Sequence, residues 1–274
     1  MRQKQVEQKT YFEETKEKRK KRRRFSWAVL GILSLGILTY GAGWILFRSP
    51  IFQMERIEIE GTKRVKQEDV LAAFMAARTG EPFYRKWFNL RNILAWPDAL
   101  DENDLRTVPA VKSAEVEKDF DAHTIRVVVK EREPYGIWCQ KKDPTNNPCF
   151  WFDTEGVVFE RALGVEGNLI KVLNDYAEEP LGLGRKILPD RFVSNLLSIF
   201  EVLGRSGLSV REVRLDNLLN EEIEVRTNGG PKLYFSLRFS AASTLAAIET
   251  VTARSDFKRL EYVDFRVENR AYYK

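Results

Sequence analysis

The sequence predicts an α+β protein with a single N-terminal transmembrane helix, a small β-α-α-β-β module, and a mainly antiparallel β domain with two packed helices. Three observations predict this fold: an uncharged apolar run at residues 25–47, alternating strand and helix periodicity over residues 51–133, and repeated short strands over residues 134–274. Residues 1–24 form a basic tail before the helix. With 274 residues, 43% of them hydrophobic, the chain can bury one or two cores.

The positive charge of the chain is concentrated in its first 24 residues. These contain eleven Lys and Arg and four Asp and Glu, a net charge of +7, whereas the whole chain carries +5, which leaves about −2 for the remainder. A nucleic-acid-binding domain spreads its Lys and Arg over a folded face instead. The distribution therefore argues against nucleic acid as a partner of the folded part.

The uncharged run at residues 25–47, FSWAVLGILSLGILTYGAGWILF, predicts a membrane span. As a helix it measures about 35 Å, enough to cross the hydrocarbon core. The basic stretch TKEKRKKRRR precedes the run and only Arg48 follows it closely, so the tail is expected in the cytoplasm and everything after Ser49 outside it. A cleaved signal peptide is the alternative, but the run is longer than the usual apolar region and lacks an A-x-A exit.

Both cysteines of the chain, Cys139 and Cys149, fall in the part expected outside the cytoplasm. They flank a turn-rich segment in GIWCQKKDPTNNPCFWF, as in a hairpin whose strands bring two Cβ atoms close. An oxidising compartment favours a disulfide between them, with two free thiols as the alternative. A metal site is disfavoured, because only His123 could join the cysteines and zinc takes four ligands.

The β-α-α-β-β module follows from the order of the patterns after Pro50. FQMERIEIEG predicts a strand closed by Gly61, residues 83–94 predict a second helix, and residues 105–108 predict a short one. The strands VKSAEVEKDF and TIRVVVKERE follow, joined by a turn at Asp121 and Ala122. The first helix, in VKQEDVLAAFMAA, has its apolar stripe on Val65, Val70, Leu71, Phe74 and Met75.

The β domain is predicted from short strands that alternate with two helices. IWCQ, CFWFDTEGVVFE and LIKVLND predict the first strands, and SVREVRLD, EEIEVRT and KLYFSLRF the later ones, the last two joined through Asn228, Gly229 and Gly230. DRFVSNLLSIFEVLGRSG predicts one amphipathic helix, and residues 241–253 predict a second. The residues expected to face inward are Phe192, Leu196, Phe200 and Leu203 on the first helix, and Leu245, Ile248 and Thr252 on the second.

Patterns that could support catalysis are weak throughout. His123 is expected in a solvated turn, the S-x-x-K of Ser255 and Lys258 lacks its accompanying K-T-G, and PLGLGRK lacks the spacing of a phosphate-binding loop. The carboxylates of Glu131, Glu133 and Asp153 are interpreted as parts of solvated strand faces. The sequence therefore predicts no enzyme, no cofactor, no metal site and no small-molecule substrate.

Four motifs stand out: GTKRV, PAVKSAEVEKDF and TIRVVVKEREP in the β-α-α-β-β module, and YVDFR near the end of the β domain. The first three are similar to an FtsQ-type POTRA domain, and YVDFR is similar to a strand near the end of the β domain of the same family, the FtsQ/DivIB family of bacterial cell division proteins. The segment at residues 84–105 is longer than the family usually has. The matching positions are Gly61; Pro109, Val111, Ala114 and Val116; Glu131, Arg132 and Pro134; and Tyr262, Val263, Asp264, Phe265 and Arg266.

The resemblance implies a non-enzymatic scaffold of the septation machinery, held in the bacterial cell membrane and enriched at the division septum. In the family, the end of the β domain recruits FtsB- and FtsL-like proteins. If the last strand lies at a sheet edge, a partner strand can add to it. The residues expected to bind are Arg266, Val267, Asn269, Arg270, Tyr272 and Tyr273, with Arg266 available to pair with an acidic partner side chain.

Two other functional classes remain as alternatives. A POTRA-bearing translocation or outer-membrane assembly factor would need a barrel or several POTRA repeats, and neither the length nor an internal repeat supplies them. A membrane-anchored wall hydrolase or peptidase is disfavoured because the sequence offers no convincing catalytic constellation.

Overall fold

The computed structural model describes residues 2–77, 91–101, 103–141, 147–163, 171–176 and 181–274. The chain divides into two compact units. The first unit comprises Met1–Glu58, Glu81–Pro97 and Val116–Arg126, and the second comprises Ile59–Gly80, Asp98–Glu115 and Val127–Lys274.

The N-terminal part is a single helix, α1, which runs from Arg2 to Arg48. Its section Arg23–Leu46 is long and apolar enough to cross a membrane, in agreement with the span predicted at 25–47. Beyond α1, the side chain of Ser49 accepts a hydrogen bond from the N–H of Ile51 and so begins a short 3-10 turn, Pro50–Phe52. The helix is therefore followed directly by folded chain.

The module after α1 contains a three-stranded sheet of β1 (Arg56–Glu60), β2 (Val111–Asp119) and β3 (Thr124–Glu131), in the order β1-β3-β2. Helix α2 (Gln67–Ala77) buries Val70, Ala73 and Phe74. The predicted stripe is therefore wrong in part, because Leu71 and Met75 are only half-buried and Ala73 lies on the buried face instead.

The predicted second helix at residues 83–94 lies mostly outside the described residues. Its described end is a 3-10 turn, Ile93–Ala95, begun by Asn92, whose side chain accepts a hydrogen bond from the N–H of Leu94. The predicted short helix at 105–108 corresponds to a 3-10 helix, Asp104–Thr107. Asn92 is thus the side-chain N-cap of the first turn, whereas the second turn begins where the Asp101 carboxylate accepts the N–H of Asp104 at 2.8 Å.

The β domain is built on one nine-stranded sheet in the order β12-β11-β10-β9-β8-β7-β4-β5-β6. Five neighbouring pairs are antiparallel and three are parallel, which confirms a mainly antiparallel domain. The strands are β4 Gly136–Gln140, β5 Cys149–Phe152, β6 Val158–Ala162, β7 Val172–Asp175, β8 Val210–Leu215, β9 Glu222–Thr227, β10 Lys232–Ser236, β11 Tyr262–Phe265 and β12 Tyr272–Tyr273.

Two helices provide crossovers between parallel strands. Helix α3 (Asp190–Arg205) joins β7 to β8, and helix α4 (Leu245–Thr252) joins β10 to β11. Parallel neighbours need such a connection, whereas antiparallel neighbours need only a turn. Both helices and one face of the sheet share a single apolar cluster that includes Leu196 and Ile248.

The inward face of α4 agrees with the prediction only in part. Ile248 is buried as expected, but the second buried residue of this helix is Val251, while Thr252 and Leu245 are half-buried. Residues 241–244 form a 3-10 turn before the α-helix begins, and this tighter winding shifts the helical face relative to a continuous α-helix over 241–253.

The two ends of the nine-stranded sheet differ. At β6, a neighbouring segment covers the beginning of the strand: the N–H of Val158 donates to the carbonyl of Arg185 at 2.8 Å, and the N–H of Gly184 donates to the carbonyl of Val158 at 2.7 Å. The N–H of Ile187 also donates to the carbonyl of Gly156 at 2.8 Å. At the other end, β12 has only β11 as a neighbouring strand among the described residues.

Cys139 and Cys149 form a disulfide in the structure and are directly opposite each other in the β4–β5 pair. Their Cα atoms are 4.0 Å apart. Together with Ile137 they form a small buried cluster on the sheet face opposite α3 and α4. The bond therefore closes the β4–β5 hairpin.

Replacing both cysteines with alanine is expected to lower the free energy of unfolding by about 2–3 kcal/mol, because the bond closes a loop of some ten residues in the unfolded chain. Urea unfolding of the detergent-solubilised full chain, with and without reductant, measures this change. The alanine variant should be insensitive to reductant. Equal stability of the wild-type chain under both conditions would contradict a disulfide that contributes to folding.

Candidate functional site

The candidate site is the open sheet edge at β12. Tyr273 is paired with Val263 of β11, and Tyr272 is paired with Asp264. The N–H of Lys274 donates to the carbonyl of Tyr262 at 3.2 Å, so the pairing continues to the last residue. The observed final strand is thus an edge strand, but it is only two residues long.

The hydrogen-bond pattern fixes which backbone groups face outward. In an antiparallel pair, bonded and non-bonded residue pairs alternate. Since Lys274 and Tyr262 form a bonded pair, Tyr273 and Val263 form a non-bonded pair, and the N–H and C=O of Tyr273 point away from β11. The outer edge of β12 therefore presents one donor and one acceptor of Tyr273 to an incoming strand.

The side chain of Tyr273 packs against the chain that follows α4. The guanidinium of Arg254 lies over the Tyr273 ring, 4.7 Å from its centre, and Nη1 donates to the tyrosine hydroxyl at 3.0 Å. Asp256 holds Arg254 through two hydrogen bonds of 2.9 Å. This hydrogen bonding holds the pKa of the Asp256 carboxyl below its usual value. The arrangement holds the ring on the helix-bearing face while leaving it about half exposed.

The residues before β12 form a turn and not a strand. Arg270 donates its backbone N–H to the carbonyl of Val267 at 3.1 Å, and Asn269 has a left-handed φ of +58°. Val267 is exposed. A continuous binding strand over residues 266–273 is therefore not preformed, because only Tyr272 and Tyr273 are extended in the sheet.

Arg266 is engaged within its own domain. Its guanidinium donates to Asp264 at 2.9 and 2.6 Å and to Glu222 at 2.6 Å, and it lies 5.0 Å from the centre of the Tyr234 ring. The hydrogen bonds to Asp264 and Glu222 raise the pKa of Arg266, and the bond from Arg266 lowers the pKa of Asp264. In the unbound chain Arg266 is thus already paired, and a partner carboxylate must compete with the two carboxylates in place.

A second polar arrangement, the junction clasp, consists of Glu131 and Arg132 with the groups they bind. The Glu131 carboxylate accepts the backbone N–H groups of Lys63 at 2.6 Å, Arg64 at 2.9 Å and Val65 at 2.9 Å. Burial raises the pKa of this carboxyl, but these donors and the Arg64 guanidinium outweigh it, and the net shift is downward. Glu131 thus fixes the turn that follows β1.

Arg132 forms the other half of the clasp and is buried. Its Nη1 donates to Asp153 at 2.5 Å and to Glu155 at 3.2 Å. The other oxygen of Asp153 accepts the N–H groups of Glu155 and Val157, each at 2.9 Å, in the turn between β5 and β6. Lys112 binds Glu155 at 2.8 Å. The clasp therefore connects the chain next to β1 and β2 with the β5–β6 turn, all within the second unit.

The burial of this clasp corrects the sequence interpretation of its carboxylates. Glu133 is exposed as predicted, but Asp153 is 3% exposed and Glu131 is half-buried. Alternation with Lys and Arg suggested solvated strand faces, whereas Asp153 is the residue that begins the β5–β6 turn. The one available signal was the E-R-x-P motif, which pairs an acid and a base at the end of β3.

The weak catalytic patterns occupy turns and loops of the fold. His123 ends the β2–β3 turn with φ +50°, and its carbonyl accepts the N–H of Glu55 at 2.8 Å. Gly184 has φ +77° in the segment that covers β6. Within the described part of the chain, no group of three or more His, Cys, Asp or Glu is placed to hold a metal ion.

Comparison with known proteins agrees with this architecture. Residues 52–132 match the family described as "POTRA domain, FtsQ-type". A stretch of 173 residues is 25% identical to the cell division protein FtsQ of Geobacter sp. (strain M21), covering 61% of this chain and 55% of that protein. The chain thus spans about half the length of the curated relative it matches. The matched domain, this relative and the order of the elements around them make the chain similar to cell division proteins of the FtsQ type.

Proposed function

We propose that the chain is a non-enzymatic scaffold of the bacterial cell division machinery, anchored in the cell membrane by α1 and enriched at the septum. Its match to the FtsQ-type POTRA domain and the name of its relative support a role in division. The basic tail before the apolar section supports an N-terminus in the cytoplasm with the bulk of the chain outside. The proposed domains are the tail 1–24, the span 25–47, the POTRA domain 51–133 and the β domain 134–274.

The scaffold acts by adding a partner strand to the β12 edge. The partners are FtsB- and FtsL-like division proteins. The observation that carries this proposal is the orientation of Tyr273, whose backbone N–H and C=O face outward at the open end of a nine-stranded sheet. Backbone hydrogen bonds of this kind give affinity, and side-chain contacts next to them give specificity.

Side chains around the edge supply the specific contacts. Tyr272 and Tyr273 are 47% and 46% exposed, and Val267 is 46% exposed, so together they offer aromatic and aliphatic surface. Arg270 already donates to the hydroxyl of Tyr272 at 3.3 Å. Asn269 and Arg266 contribute after local rearrangement, since the turn must open before residues 266–270 can extend a pairing that starts at β12.

Replacing Tyr273 with proline is expected to weaken partner binding about tenfold or more, because proline removes the outward N–H and its ring obstructs strand approach. The hydrogen bonds between Lys274 and Tyr262 remain, because they use other backbone groups. Co-purification of the full chain with FtsB- and FtsL-like proteins from the same organism measures the effect. In cells, fluorescent fusions report whether the chain accumulates at mid-cell during constriction.

The matched control is Tyr273→Phe, which keeps the N–H and the ring and loses only the hydroxyl that binds Arg254. This variant should bind nearly as well as the wild-type chain. Undiminished binding by Tyr273→Pro would refute strand addition at β12. A uniform membrane signal of the wild-type fusion would instead contradict the division role itself, whatever the binding result.

A further inference from the structure

The first unit ties folded chain directly to the end of the candidate membrane span. The side chain of Asn92, which is 3% exposed, donates to the carbonyl of Leu46 at 2.8 Å. Leu46 is the last residue of the span, where helix carbonyls have no partner within the helix. Gln53 also forms an isolated antiparallel bridge with Asn92. The chain around Asn92 is thus held against the last turn of the span.

The turn between β2 and β3 is held at the same place. The N–H groups of Glu55 and Arg56 both donate to the carbonyl of His123, the former at 2.8 Å. The rings of Phe52 and Phe120 meet edge to face, with their centres 6.1 Å apart. Since Phe52 follows Leu46 by six positions, this contact places Phe120 close to the end of the span.

The apolar side chains at this position are exposed. Ile51 is 59% exposed and Phe120 is 39% exposed. Asp119 accepts the N–H groups of Asp121 and Ala122 at 3.1 and 2.8 Å, which tightens the turn around Phe120. An exposed aromatic ring beside a membrane span gains free energy at the boundary between headgroups and acyl chains.

We propose that Ile51, Phe52 and Phe120 form a membrane collar that rests in the interface of the lipid bilayer. Lipid is the occupant because the collar is continuous with the span through Phe52 and through the Asn92 bond to Leu46. Asp119 and Asp121 flank Phe120, so the contact is apolar and does not depend on anionic lipid. This inference rests on α1 crossing a bilayer and is independent of the partner that binds β12.

The test uses the full chain in phosphatidylcholine vesicles with an environment-sensitive dye on a single added cysteine. Without reductant, the native Cys139–Cys149 bond keeps those sulfurs unlabelled. The labelled variants are Phe120→Cys and Ile51→Cys in the collar, Val128→Cys as control, and Ser34→Cys in the span. Val128 is 38% exposed, matching Phe120, and lies on β3, eight positions after Phe120 in the chain.

Lipids with a nitroxide near the headgroup should quench the dyes at 120 and 51 about twofold or more beyond the dye at 128. Equal quenching at 120, 51 and 128, with a strongly quenched dye at 34, would overturn the collar while leaving the span intact. An unquenched dye at position 34 would contradict both the membrane span and the collar. Two collar positions are used so that local misfolding of the Phe120 variant cannot decide the result alone.

Discussion

Replacing Arg132 with alanine is expected to lower the free energy of unfolding by about 3–5 kcal/mol. Arg132 is 7% exposed and its partner Asp153 is 3% exposed, so the substitution leaves a buried carboxylate without its cation. The backbone N–H groups of Glu155 and Val157 still bind Asp153, but they satisfy only one of its oxygens. Urea denaturation of the solubilised full chain measures the loss.

Two variants test whether the buried pair is the cause. Arg191→Ala removes an exposed arginine that pairs with Glu221 and should change stability by no more than about 1 kcal/mol. Combining Arg132→Ala with Asp153→Asn should recover part of the loss, because the asparagine oxygen can still accept the backbone N–H groups without leaving a charge buried. If the double variant is no more stable than Arg132→Ala, the uncompensated charge is not the source of the effect.

Replacing Gly61 with alanine is expected to lower the free energy of unfolding by about 4 kcal/mol or more. Gly61 closes β1 with φ +86°, where a Cβ atom is unfavourable in itself. An added Cβ would also lie 2.0 Å from the carbonyl oxygen of Val129 on β3, so the two strands must separate. The same unfolding measurement applies, together with the loss of α2 and β1 protection in hydrogen exchange.

Gly207→Ala is the matched control for the backbone contribution. Gly207 follows α3 with a similar φ of +68°, but no heavy atom lies within 4 Å of its added Cβ. The Gly207→Ala variant is expected to lower the free energy of unfolding by about 1–2 kcal/mol, because only the unfavourable backbone conformation contributes. Equal losses at both positions would show that the approach of Val129 to Gly61 is not a steric constraint.

Most helices and strands of this fold can be predicted from local sequence patterns. Apolar alternation and turn residues locate β4 to β10, the resemblance of YVDFR locates β11, and the apolar face of α3, including Phe192 and Leu196, is buried as its spacing predicts. Gly61 and Gly229, in the turn after β9, also follow from local chemistry, because both have a positive φ that few residues other than glycine adopt. Such features depend on residues close together in the chain.

The candidate site was harder to predict from the sequence, because its contacts join residues that are far apart in the chain. Nothing near Arg266 in the sequence indicates that Glu222 will bind it, since β9 and β11 become near neighbours only through β10. The burial of Arg132 and Asp153 likewise results from packing around the β5–β6 turn. The expected binding strand is interrupted at Asn269, which has a left-handed φ. The alternation of apolar and polar residues gives no sign of this conformation.

The unequal ends of the large sheet limit how many chains can join it. Arg185 and Gly184 already occupy the hydrogen-bonding groups of Val158 at the start of β6, so this part of the β6 edge cannot accept another strand, whereas the β12 edge can. A head-to-tail filament requires two receptive ends on every subunit, and the covering segment shortens the free edge at β6. If strand addition at β12 occurs as proposed, one added strand per copy is the expected stoichiometry.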